Sequence, residues 1–346
     1  MSRRVGLVRG DPTVAWGHAT TPYLSLYKQN SNDTTSTFVK LTGTVPVPGT
    51  SWVTGTDWSP CGNYVAVSIN ATPWFAVYQR DGDKFSANLI SPAPFSSGNS
   101  YGVCWSPDGK YVTVLSTVSP YVATYKRAGN TFTKIGNPGT ALSGAAGGVA
   151  WSPDGKSLAF GLTASPWINI YNFNPDTDTY TKLSQPATAP TATCLSVSWT
   201  VDGTRLAVGY QATPFMIHYA RSGNTFTAGT VSGTGPSTSA YVDFSPDGTQ
   251  LAAGSNTTPY IRLYNLSGTV ATNANMTISG SNPGASINGG ITWSADGKYL
   301  AAGVYLSPYF CVLKKTGAAT MTRVTNPTTL PTGNSNAKPT WWPKKY

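Results

Sequence analysis

The chain has 346 residues, 40 % of them hydrophobic and 12 % aromatic, with a formal net charge of +10 carried by only 10 % charged residues. That composition belongs to a globular chain with a large core and excludes a disordered one. No apolar run approaches the roughly 18 residues of a membrane span, and no block of about five basic residues points to specific nucleic-acid binding.

All thirteen acids are Asp, and Glu is absent. Thr, Ser, Gly, Tyr and Val stand where helix formers would, so almost no helix is expected. Residues 1–12 read as a basic tail holding Arg3, Arg4 and Arg9. No apolar run follows these arginines, so the segment is not a secretory signal. Lys338, Lys344 and Lys345 add positive charge at the other end. Of the tail residues, Arg3, Arg4, Arg9, Lys344 and Lys345 are candidates for docking on an acidic partner.

Residues 13–346 read as one repetitive domain. Val14-Ala-Trp-Gly17, Tyr23 to Tyr27 and Thr37 to Leu41 match the second, third and fourth strands of a repeated unit. Six complete units follow. The first strand of each ends in a turn, as in Trp58-Ser-Pro-Cys-Gly62, Trp105-Ser-Pro-Asp-Gly109, Trp151-Ser-Pro-Asp-Gly155 and Phe244-Ser-Pro-Asp-Gly248. Pro presets one φ, Asp bonds the backbone beyond it, and Gly takes the left-handed position. A second strand follows at once, as in Leu206-Ala-Val-Gly209. The third opens with Ser/Thr-Pro-aromatic, and its prolines, from Pro22 to Pro308, are 45 to 51 residues apart. The fourth is amphipathic, as in Thr131-Phe-Thr-Lys-Ile135, with a charge that guards a sheet edge. Phe226 with Ala228, and Met276 with Ile278, mark it in the fifth and sixth units, without the charge. The last segment, Pro339-Thr-Trp341-Trp-Pro343, supplies the first strand that the opening unit lacks.

A period of this length defines a repeat architecture, and four antiparallel strands per repeat define a propeller blade. The predicted fold is therefore an all-β, seven-bladed propeller. Its split blade joins residues 13–42 to 338–346, which leaves no open end to cap. The repeat length, the Trp-Ser-Pro-Asp-Gly turn and the Leu-Ala-x-Gly strand resemble the WD-repeat propellers. The chain departs from them in replacing the Trp-Asp pair that ends the third strand by Tyr followed by Lys, Gln, Asn or Ala. The Gly-His pair before the first strand is missing too. In its Thr, Gly and Ser content without Glu, the chain resembles virion proteins of tailed phages.

Chemistry-bearing residues are few. His18 and His218 occupy different repeat positions, so a shared metal site is not expected, and no cofactor is implied. Asp108, Asp154, Asp202, Asp247 and Asp296 recur at the turn and serve it. Asp57 and Asp243 differ, because each precedes the inner-strand aromatic where other units carry Cys104, Ala150, Ser198, Thr292 and Thr340. A hydrogen bond to a neighbouring loop is their plainer reading, and a ligand site near the channel the sharper one. The repeated aromatics Tyr23, Trp74, Tyr121, Trp167, Phe215, Tyr260 and Tyr309 suit packing between blades. If exposed, they would form a binding ring for surface glycan or protein. The expected function is a non-enzymatic platform, a virion component with protein partners that assembles in host cytoplasm. An intracellular bacterial scaffold is the alternative, and a propeller hydrolase or lyase around Asp57 and Asp243 the third reading.

Overall fold

A computed structural model of the protein describes residues 11–30, 37–41, 51–85, 98–238, 240–280, 286–335 and 337–344. These form seven sheets, each with four antiparallel strands, and no helix. The chain is a seven-bladed β-propeller. In a complete blade the strands run outward in chain order. In the fourth they are Ala146–Trp151, Ser157–Leu162, Ile168–Asn174 and Thr179–Lys182. The split blade closes as expected: Thr340–Trp342 lies innermost, and Thr340, Trp341 and Trp342 pair with Ala15, Val14 and Thr13.

The second and third strands of each blade have apolar side chains on both faces because both faces are covered. Each buried cluster joins two successive blades. Tyr64, Ala66 and Phe75 of the second pack on Val103, Trp105 and Tyr125 of the third. The ring closes the same way, with Tyr299, Ala301 and Phe310 of the seventh against Val14, Trp16 and Trp341 of the first. Glycine sets the closest approaches between blades: a Cβ on Gly148 would stand 2.8 Å from Ser196 Cα, and Gly209 has no room for one against the Ala240 carbonyl.

The turn chemistry is as read. Ser152 Oγ donates to Asp154 Oδ1 at 2.5 Å, Lys156 N–H donates to the same oxygen at 3.0 Å, and Gly155 has φ +68°. The Ser/Thr-Pro-aromatic motif is also a turn. All seven of its Ser/Thr-Pro bonds are cis, and six of the seven aromatics have φ between +58° and +68°. The aromatic N–H returns to the carbonyl three residues back, as from Trp167 to Ala164 at 2.9 Å, which is a turn with cis-Pro at its third position.

One element differs from its sequence assignment. The fourth strand of the sixth blade is Val270–Asn273, not the Met276–Ile278 segment. Gly268, at φ +55°, turns the chain tightly after Ile261–Ser267, so the fourth strand begins at once. Thr277–Ser279 instead adds a fifth, parallel strand to the outer edge of the seventh blade, and Thr230–Ser232 does the same for the sixth. The uncharged outer strand of the sixth blade, Val270–Asn273, is thus covered by chain, whereas Thr225–Ala228 remains the outer strand of the fifth.

Candidate active site in the central channel

The innermost strands surround a channel cavity of about 600 Å³. Their residue before the terminal aromatic lines it: Asp57, Cys104, Ala150, Ser198, Asp243, Thr292 and Thr340. Of these, only the two aspartates carry charge, and both are buried, at 5 % and 1 % exposure.

Each aspartate ties two blades together. Asp57 Oδ2 accepts the backbone N–H of Trp105 in the third blade at 2.7 Å. Asp243 Oδ2 accepts that of Trp293 in the seventh at 2.9 Å, and its Oδ1 accepts the Ser198 hydroxyl of the fifth at 2.7 Å. The partner is the next inner strand and not a loop. Each aspartate also meets a lysine from the closing segment. Lys344 Nζ lies 2.6 Å from Asp57 Oδ2, and Lys338 Nζ lies 3.6 Å from Asp243 Oδ1. The segment is itself held beside Asp57, since Thr56 Oγ1 donates to the Lys338 carbonyl at 3.1 Å. Asp57 and Asp243 therefore do double duty, as ties between blades and as the anionic half of two ion pairs in one cavity.

The two pairs are not equivalent. Among the described residues, both partners of Asp57 fall on Oδ2. Asp243 has both oxygens engaged. Lys344 is the more enclosed lysine, with its side chain 13 % exposed; Lys338 is looser, at 36 %. Cys104 lines the same cavity, but burial, then the nearby Asp57 carboxylate, push its thiol up to about 11. It is a poor nucleophile at neutral pH.

The other candidates fall elsewhere. Lys344, expected as a docking residue, turns inward to Asp57; Arg3, Arg4, Arg9 and Lys345 lie outside the described residues. The seven repeated aromatics are each half-buried. Six of them, all but Tyr309, pack against the buried clusters, as Trp74 does at the interface of the second and third blades and Trp167 at that of the fourth and fifth. They do not gather around the channel cavity. His18 and His218 are buried in the first and fifth blades, with Nε2 at 3.0 Å from Ser25 Oγ and 3.3 Å from the Thr230 carbonyl. Among the described residues, no three His, Cys, Asp or Glu side chains cluster as a metal site would need.

The lysines were missed because they were read as tail charge. The repeat held a signal for each. Lys338 stands where four other inner strands place Gly55, Gly102, Gly148 and Gly290. Lys344 follows Trp342-Pro343, where complete units carry Ser/Thr-Pro-Asp or a close variant. A charge that replaces a small or turn residue in one copy of seven is a departure that the turn does not require.

No model of a known family and no curated protein matches the sequence. Solved structures do match over nearly the whole chain. A Bacteroides uniformis propeller provisionally named a 6-phosphogluconolactonase aligns over 96 % of this chain and 99 % of its own, with a TM-score of 0.72 at 15 % identity. A periplasmic gluconolactonase of Pseudomonas aeruginosa aligns over 96 % and 99 %, with a TM-score of 0.68 at 13 % identity. A chain of the mitotic checkpoint complex aligns over 81 % and 78 %, with a TM-score of 0.60 at 17 % identity. Likeness at this identity establishes the fold. It also corrects the functional expectation: full-length matches to propellers named as lactonases overturn the non-enzymatic virion platform. The likeness to tailed-phage proteins finds no support among these matches. The sequence reading paired Asp57 with Asp243 but left out Lys338 and Lys344, which meet the two aspartates only when the ring closes.

Proposed function

We propose that the protein is a hydrolase of cyclic esters, acting in the channel cavity. The observation that carries this reading is the pairing of two buried aspartates with two lysines in one cavity, on a fold whose full-length structural matches include propellers named for lactone hydrolysis. A lactone carbonyl needs a nucleophilic water, a base to take its proton and a cation for the developing oxyanion. Asp57 Oδ1 supplies the base. A water held there loses a proton to the carboxylate as its oxygen bonds to the carbonyl carbon. Lys338, the looser of the two ammonium groups, stabilises the oxyanion. Collapse breaks the bond between carbonyl carbon and ring oxygen, and the proton on Asp57 passes to that oxygen. The product is an open hydroxy acid, which loses its acidic proton to solvent. Asp243 stays bonded to Ser198 and Trp293, holding the far wall. Positioned general-base catalysis contributes about 10²–10⁴-fold, enough for an ester ring that already opens slowly in water.

The test is proton release from glucono-δ-lactone by the purified protein, above the spontaneous rate. Asn at position 57 keeps an acceptor for Trp105 N–H, and Met at 344 avoids a stranded ammonium. The double variant Asp57→Asn/Lys344→Met is expected to fold and to lose about 100-fold or more in kcat. Undiminished turnover in that variant would remove Asp57 from the mechanism. A wild-type rate equal to the spontaneous one, for every lactone tried, would sink the hydrolase reading.

A further inference from the structure

The cavity has two chemically different halves. One half carries Asp57, Asp243, Lys338 and Lys344, with Thr292 and Thr340 between them, from the sixth, seventh, first and second blades. The other half is built by the third, fourth and fifth blades and carries no charge. Its wall includes the half-buried Cys104, Val149, Ala150 and Leu195 beside the buried indoles of Trp151 and Trp199, and it also holds the hydroxyls of Tyr101, Thr117, Thr163, Ser196 and Ser198. The same strand position that holds aspartate on the charged side holds cysteine, alanine and serine here. A lactone ring and its hydroxyls need the charged half alone. A cavity of about 600 Å³ belongs to the size range that encloses ligands well beyond a single sugar ring. Apolar wall left facing the channel gains most by covering an apolar group.

With the hydrolase reading above as its premise, we propose that the substrate is an amphipathic lactone. Its ester ring lies between Asp57 and Lys338, and an aliphatic substituent lies along the wall of Val149, Ala150 and Leu195. The chemistry of the wall selects the class. Val149, Ala150 and Leu195 offer no hydrogen bond from their side chains, and a second sugar ring laid against these three would leave the hydroxyls on that face unpaired. An alkyl chain loses nothing on desolvation, and full burial of each methylene is worth about fourfold in affinity.

The experiment is a homologous series of δ-lactones with unbranched alkyl groups on the carbon bearing the ring oxygen, from δ-valerolactone to δ-dodecalactone, beside glucono-δ-lactone. The expected result is a kcat/KM that rises about two- to fourfold per methylene until the wall is covered. Leu195→Asn, which keeps the size of the side chain and adds polarity, lowers that gain. A kcat/KM that is flat or falls along the series, with glucono-δ-lactone turned over as well or better, overturns the amphipathic substrate and leaves the hydrolase reading standing. The matching alkyl δ-lactams, which are not turned over, separate the wall from the chemistry. Their Kd should tighten with chain length even if no lactone is hydrolysed. A Kd independent of length overturns the assignment of the wall.

Discussion

At the scale of single residues, burial decides which groups titrate. His18 is fully enclosed in the first blade. Desolvation, then the positive charge of Lys40, press its imidazole from 6.5 down to about 4. His218 is shifted in the same direction, chiefly by burial. In the unfolded chain an imidazole takes its proton near pH 6.5, so between that pH and about 4 the unfolded state binds more protons than the native one. Stability is therefore independent of His18 above pH 6.5. It falls as pH drops through this window and levels off below about pH 4. Integrated over the window, His18 alone withdraws roughly 3 kcal/mol. Urea midpoints measured from pH 7.5 to 4.5 should fall below about pH 6.5 in the wild type and less steeply there in His18→Gln; equal slopes would show that His18 is not the sensor. The turn carboxylates act later. Although partial burial opposes it, the Ser152 hydroxyl and the Lys156 N–H hold Asp154 below 3.8, and similar bonds hold Asp202 and Asp247 there. Their stability is present above that pH and is lost as pH falls below it.

At the scale of the element, the repeated turn is where local chemistry decides structure. Asp154 accepts one hydroxyl and one backbone N–H across a hairpin whose Gly155 is left-handed. Asp154→Ala removes both bonds and should cost about 1–2 kcal/mol, a fall in Tm of about 1–2 °C per kcal/mol for a domain of this length. Asp154→Asn retains the acceptor and should cost less than half as much. Calorimetry of the two variants checks the pair, and equal losses would mean that charge, not the acceptor, matters. The turns, strands and blade count were legible in the sequence because each depends on neighbours within one unit. The Met276–Ile278 segment was misplaced because its apolar spacing suits any outer strand, while the partner it takes, Thr320–Arg323, lies in the next blade. Arg80, Arg127 and Arg221, which follow the third strand's tyrosine, lie over the rings of Trp342, Tyr64 and Trp199 at 4.7, 5.0 and 5.2 Å, which a cation on a long apolar stem does readily.

At the scale of the whole molecule, closing the ring and building the site are one event. The segment from Lys338 to Lys344 brings the innermost strand of the first blade and both lysines of the cavity. Pairing of Thr340–Trp342 with Thr13–Ala15 was legible, since a missing strand and a spare one share a pattern. The cavity was not, because its four charges meet only when blades six, seven, one and two stand side by side. Deleting Lys338–Tyr346 therefore strikes both. It removes Trp341, which stacks on Tyr299 at 6.0 Å and donates to the Thr292 carbonyl at 3.1 Å, and it strips Asp243 and Asp57 of their ammonium partners. Loss of a buried Trp alone costs about 3–5 kcal/mol. A bared strand edge and two carboxylates without those lysines add to it, against a total stability of about 5–15 kcal/mol. The truncated chain should lose its cooperative melting transition and aggregate. The peptide Lys338–Tyr346, added in trans during refolding, should restore the cooperative melting transition together with whatever lactone hydrolysis the intact chain shows. A truncated chain that melts like the intact one would mean that the ring is held without its last strand, and a rescue of folding without activity would separate the lysines from the chemistry.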